Sequence, residues 1–145
     1  DDYLHVVDTA LWLGGEAARL LSGTVQTNAL GQMLYAEHHF QAGNGLITTS
    51  MHRQAGTQRE SVQAVSTGAC YQISNMSHWQ QESDGQVLSL PAPSWQTTLD
   101  QRGFTGAVQH FIDAVSNQTA PQVSGDQAIY AQRMIEQIIQ QGTVQ

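Results

Sequence analysis

The stretch DDYLHVVDTALWLGG, Asp1 to Gly15, decides how the rest of the chain is read. Leu4, Val7 and Leu11 recur at three- and four-residue steps, the spacing of one buried face of a helix. Asp1, His5, Asp8 and Trp12 recur in the same way on a different face. Gly14 and Gly15 stop the run, and behind them the period changes from helical to alternating. The spacing therefore predicts a helix over 1–13 that hands over to a sheet.

The polar face of that helix carries the one constellation here that reads as chemistry. His5 sits between two carboxylates, one helical turn to either side, with the Trp12 indole a turn further on. Imidazole is the side chain whose ordinary pKa lies nearest neutrality, and a neighbouring carboxylate orients it and favours its charged form. Such a set suits proton transfer. The competing reading is a helix histidine merely salt-bridged to Asp1 and Asp8. A metal site on Asp1, His5 and Asp8 is not expected, because one helix face offers only part of a coordination sphere.

Beyond Gly15 the chain alternates in short runs rich in β-branched and aromatic residues, over 17–27, 32–42, 46–53, 59–66 and 69–74. Turn residues separate them: Asn28 to Gly31, Gly43-Asn44-Gly45, Ala55-Gly56-Thr57 and Thr67-Gly68. Trp79 and Val87 to Leu90 form a last hairpin around Ser83-Asp84-Gly85, which Pro91-Ala92-Pro93 ends. This is the pattern of an antiparallel meander. In 32–42, Leu34, Ala36, His38 and Phe40 alternate with Met33, Tyr35, Glu37 and His39, so His38 and His39 face opposite sides. They and His52 are read as ordinary sheet positions. One face of the meander is crowded with Gln, Thr, Ser and His rather than with Lys and Glu. Such a face meets water, or it meets a second copy of itself, since little charge has to be desolvated.

From Trp95 the period is helical again. Phe104, Ala107, Val108, Phe111, Ile112 and Val115 mark one amphipathic helix. Asn117 to Pro121 breaks it, and Ser124-Gly125-Asp126-Gln127 is a capping box. Ala128, Ala131, Ile135 and Ile138 carry the stripe of the closing helix, widened by Met134 and Ile139, until Gly142. The order helix, sheet, helix, helix predicts an α+β fold: a predominantly antiparallel open sheet packed on one face by an N-terminal helix and two C-terminal helices.

Composition narrows the function. A chain of 145 residues reads as a single domain over 1–145, large enough to bury a core without staples. Its net charge of -7, with five scattered arginines and no lysine, argues against a nucleic-acid surface. The lone Cys70 excludes an internal disulfide and reads as a small buried side chain. No apolar stretch reaches the length of a membrane span and no signal-peptide pattern opens the chain, so the cytoplasm is the expected compartment. The sequence begins without Met and already inside a helical pattern, as expected of a piece of a longer polypeptide.

The Asp-x-x-x-His-x-x-Asp run on a helix ahead of a long meander resembles the C-terminal domain of the Gfo/Idh/MocA oxidoreductases. The closing segments, Gly103-Phe104 with His110-Phe111-Ile112-Asp113-Ala114-Val115, and Pro121 with Ser124-Gly125-Asp126-Gln127-Ala128, are similar to that family's last helices. Taken with DDYLHVVDTALWLGG and MHRQAG, the run LDQRGFTGAVQHFIDAVSNQT is most similar to the MviM-type "virulence factor" branch.

The resemblance implies a longer two-domain protein. A Rossmann domain, missing here, would hold NAD or NADP, and this domain would shape the substrate pocket and the oligomer. It implies Asp1 and His5 as the catalytic pair facing the nicotinamide, with His5 as acid/base toward a sugar, polyol or similar small hydroxy compound. Asp8 and Trp12 would support them. The family also uses a lysine from a Glu-Lys-Pro segment of its first domain and a glycine-rich dinucleotide loop, and this chain has neither. Alone it is therefore expected to bind no cofactor and to be inactive. Where the family often has Gly two residues after the Asp, this chain has Tyr3, whose phenol is expected to narrow the substrate pocket. Apart from the resemblance, Arg53 at a strand end after His52 is expected as a weaker contact to an anionic substrate group, an exposed edge arginine being the commoner role.

The expected partners are the protein's own Rossmann domain, a small-molecule substrate and a second copy bound through the polar sheet face, with no nucleic acid and no membrane. Two other readings compete: a non-catalytic oligomerisation or scaffold module that keeps the fold, and an independent small α+β ligand-binding enzyme using a His-Asp pair.

Overall fold

Tyr3, Val7 and Leu11 recur every four residues and turn inward together, which makes Asp2–Gly14 an amphipathic helix, α1. The computed structural model describes residues 2–15 and 17–141. Seven strands follow: β1 (Ala18–Thr27), β2 (Met33–Ala42), β3 (Gly45–His52), β4 (Ser61–Ser66), β5 (Ala69–Ser74), β6 (His78–Ser83) and β7 (Gln86–Pro91). Three helices close the chain, the short α2 (Thr98–Gln101), α3 (Phe104–Ser116) and α4 (Gly125–Gln141). The fold is α+β with antiparallel strands throughout, as the periodicities predict.

The meander is divided between two sheets, ordered β1-β2-β3 and β4-β5-β6-β7. The described chain correspondingly gathers into two compact units, one from 1–56 and 122–145, the other from 57–121.

The first unit holds the core. Along β2, Ala36, His38, Phe40 and Ala42 are buried in strict alternation, so one face of this sheet is covered. The cover is α1 and α4, whose Val7, Leu11, Met134 and Ile138 meet Leu20, Ala36 and Phe40. Phe40 and Val7 are fully enclosed at its centre. Neither a sheet of three strands nor two helices could bury this surface separately; stacked, they share one core. Tyr130 of α4 fastens the arrangement to the first residue of β1, its hydroxyl donating to the Ala18 carbonyl at 2.9 Å and accepting from the Ala18 N–H at 2.6 Å.

A β-bulge corrects the register of β1. Leu20 lies opposite Phe40, yet Ser22 lies opposite His39 and Gly23 opposite His38. The extra residue, Leu21, shifts parity by one. Leu20, Gly23 and Val25 thereby all stand over the covered side of β2.

In the second unit the register sets Val62, Ile73, Trp79 and Leu90 in one row across the four strands, and Gln63, Gln72, Gln80 and Ser89 in the row on the opposite face. Tyr71 and Trp79 pack with ring centroids 6.3 Å apart. Helix α4 joins α1 in the first unit, whereas α3 belongs to the second, where it packs against α2. At the start of α4, the Gln127 side chain accepts from the Ser124 N–H at 3.1 Å, one arm of the expected capping box. Cys70 is half-buried, with the Gln63 amide 3.5 Å from its sulfur.

Candidate functional site on the first helix

At about 100° per residue, a side chain two positions from Tyr3 and two from Val7 points away from both. His5 is that side chain, and it is exposed, as are Asp8 and Trp12. Trp12 is 75% accessible and is no part of the core. Asp1 lies outside the described residues. His5 and Asp8 share one open face, and among the described residues no ion pair or hydrogen bond joins them. The carboxylate that does engage a partner is Asp2, whose Oδ2 lies 2.8 Å from Nη2 of Arg53. Arg53 thus ties the first turn of α1 to the chain just beyond β3.

Tyr3 turns the other way. It is 6% accessible and belongs to the core cluster, so its phenol faces the sheet of its own unit rather than an open pocket. Its hydroxyl lies 2.8 Å from Nδ1 of His38 and 2.7 Å from Oγ1 of Thr49. Both partners are buried, and they are the polar residues enclosed with this core. Burial pushes the Tyr3 phenol up to about 12, with the Thr49 hydrogen bond opposing and the negative charge of Glu37 adding. Burial also holds the His38 imidazole below its ordinary range, helped by His39 and opposed by Glu37. A neutral imidazole carries one donor and one acceptor nitrogen, so its tautomer sets the direction of the Tyr3–His38 bond, and either hydroxyl can donate in the Tyr3–Thr49 bond. Every buried polar side-chain atom among the described residues has a partner.

Gly23 makes room for this network. A Cβ there would lie 2.1 Å from Cδ2 of His38 and 2.6 Å from the Glu37 carbonyl oxygen. No neighbour of His38 in the chain foretells this network, but its place on the apolar side of its strand is a signal for it. A histidine alternating with Leu34, Ala36 and Phe40 has to find a buried hydrogen-bond partner, and the tyrosine at the head of α1 is it.

The opposite, open face of the same sheet is polar. The Tyr35 hydroxyl donates to Glu37, whose other oxygen lies 3.3 Å from Nε2 of His39. Nδ1 of His39 is 3.1 Å from the Thr48 hydroxyl, and the rings of Tyr35 and His52 lie 5.7 Å apart. The hydrogen bond to Glu37 raises the Tyr35 phenol above its ordinary value, with burial adding less. Strand alternation thus separates His38 from His39, as expected, and the β2–β3 register, which sets His52 opposite Tyr35, puts His52 on the open face as well.

Among the described residues no group of His, Cys, Asp and Glu is placed to hold a metal. Among the described residues no glycine-rich loop leads from a strand into a helix, the element on which a Rossmann domain holds a dinucleotide. What the open face of α1 offers is one wall: an imidazole, a nearby carboxylate and an indole.

Residues 1–84 match the family described as YceM-like, C-terminal domain. This chain belongs to that family. The YceM-like domain is 61% identical over 136 residues to "Putative oxidoreductase YceM" of Salmonella typhimurium, a match covering 94% of the domain and 44% of that protein. It superposes on the dehydrogenase MviM from Clostridium difficile with a TM-score of 0.93 and 34% identity, over 97% of the domain and 46% of that chain. A Gfo/Idh/MocA family oxidoreductase from Vibrio cholerae superposes with a TM-score of 0.73 and 21% identity, over 97% and 46% of the two chains; at that identity the likeness speaks for the fold. The YceM-like domain spans less than half the length of these relatives. The resemblance carried by its two ends holds, and no described helix is long and apolar enough to cross a membrane.

Proposed function

We propose that this YceM-like domain is the substrate-side half of a nicotinamide-dependent oxidoreductase acting on a sugar, polyol or similar small hydroxy compound. The observation that carries the reading is the two-sidedness of α1: Tyr3 is locked into the sheet, and His5, Asp8 and Trp12 are left open beside one another. A helix anchored on one face holds what stands on its other face in a defined direction. The names of the relatives, an oxidoreductase and a dehydrogenase, support the same class.

In this reading His5 exchanges a proton with the substrate hydroxyl or carbonyl. The nicotinamide, bound by the other half of the protein, supplies the hydride chemistry. Asp1 completes the catalytic pair, Asp8 supports the imidazole electrostatically, and Trp12 shields one side from water. Arg53 is assigned to holding Asp2 rather than to substrate. The open face of the first sheet, with Tyr35, Glu37, His39 and Thr48 bonded to one another, is the proposed homodimer surface.

The test uses the full-length protein. Calorimetry with NAD and NADP establishes cofactor binding, and a panel of sugars and polyols is screened for reduced nicotinamide. His5→Asn is expected to lower turnover about 100-fold or more, the usual worth of a general acid or base, with cofactor affinity unchanged. Turnover that survives His5→Asn favours the scaffold reading, in which the fold persists without this chemistry.

A further inference from the structure

We propose that the open apolar stripe of α3 is the seat of the other half of the full-length polypeptide, the half that these 145 residues do not include. Phe104, Val108, Phe111, Ile112 and Val115 are 61%, 61%, 62%, 49% and 63% accessible. Their spacing places all five within an arc of roughly 100°, the width of a helix face made to be buried. Thr105, Gln109, His110 and Asp113 occupy the rest of the helix, so the stripe itself carries no charge. Within its own unit α3 packs against α2, a helix of four residues, and no strand there covers it.

Stable monomers rarely leave so contiguous an apolar surface in water, and a stripe free of charge is characteristic of permanent interfaces. The occupant follows from length. This domain covers 44% of its Salmonella relative and 46% of the Clostridium dehydrogenase, while almost all of it superposes on the latter. Its fold is therefore kept inside proteins more than twice as long, and a segment of the same polypeptide is a permanent neighbour at high effective concentration. A second copy has a different face available, the polar side of the first sheet. The inference rests on the domain's being the C-terminal part of a longer protein, and not on the role of His5.

The test replaces Phe111 in the full-length protein by photoreactive p-benzoylphenylalanine, an aromatic residue of similar shape. The protein is irradiated at high dilution, and its cross-links are mapped by mass spectrometry. The expected product is an intrachain link to residues outside these 145. Links between copies, links within the 145 residues, or no link at all would each overturn the proposal. As a second measure, Phe111→Asp in the full-length protein is expected to split thermal unfolding into two transitions. A single transition at an unchanged midpoint counts against the interface. Neither readout requires activity, so the proposal stands or falls separately from the chemistry proposed for α1.

Discussion

The Tyr3 hydroxyl lies 2.8 Å from Nδ1 of His38, thirty-five residues away, and this hydrogen bond joins the first turn of α1 to the middle of the central strand of its sheet. A second bond, 2.7 Å to the Thr49 hydroxyl, reaches the neighbouring strand. Apolar packing along Val7 and Leu11 tolerates small rolls of the helix. Two directional bonds near its N-terminus do not, and they set which residues of α1 face outward.

Removing the phenol oxygen should show what the network contributes. Tyr3→Phe keeps the ring and leaves buried groups on His38 and Thr49 without their partner, which costs about 1–3 kcal/mol. Urea denaturation measures it. Adding His38→Leu should cost less than the sum of the two single changes, because both ends of the bond then disappear. Strict additivity would mean that the contact does not couple them.

The network also makes stability depend on pH at both ends. The His38 imidazole is held below its ordinary value by burial, so the unfolded chain takes up the proton first. Its contribution is complete above the unfolded value of about 6.5 and declines as pH falls from there toward the folded value. Tyr3 has the opposite sign: with its phenol pushed up to about 12, its contribution is complete below the ordinary value of 10.0 and is lost as pH rises between the two. Thermal midpoints across pH should fall on both flanks. His38→Gln should flatten the acid side and leave the alkaline side in place.

Gly23→Ala should damage the same region by crowding. The new methyl would meet the His38 ring and the Glu37 backbone, and the backbone cannot move aside without disturbing the β1–β2 ladder. Overpacking of this kind costs about 1–3 kcal/mol. Differential scanning calorimetry of Gly23→Ala should show a clearly lowered midpoint, and an unchanged one would refute the close approach.

In the second unit a gain is expected. Asn75 and Met76 turn the chain from β5 to β6 with φ of 51° and 54°, and methionine rarely adopts that conformation. Met76→Gly relieves the strain and is expected to stabilise by up to about 1 kcal/mol, part of the relief being offset by glycine's freedom in the unfolded chain. Urea titration of the variant against the parent checks the sign.

Much of this was legible in the residues. The three-four spacing predicts α1, α3 and α4, and alternation with turn residues predicts the first five strands to within two residues and the last hairpin around Ser83-Asp84-Gly85. The Met76 turn was hidden because methionine gives no turn signal, and α2 because four residues hold no period. The bulge at Leu21 was hidden for another reason: it is a mismatch between two strands, and neither strand records it separately.

The sequence by itself determined which residues share a face, because helix and strand periods follow from backbone geometry and need only near neighbours. It therefore set His5, Asp8 and Trp12 apart from Val7 and Leu11, and His38 apart from His39. Pairing between distant segments was decided by tertiary structure. It divided the strands into two sheets, joined Tyr3 to His38 and Thr49, and turned the Tyr3 phenol into the core. These outcomes depend on contacts made across thirty or more residues, where the energy of a hydrogen bond is settled by what else has been excluded from water, and no local pattern contains that information.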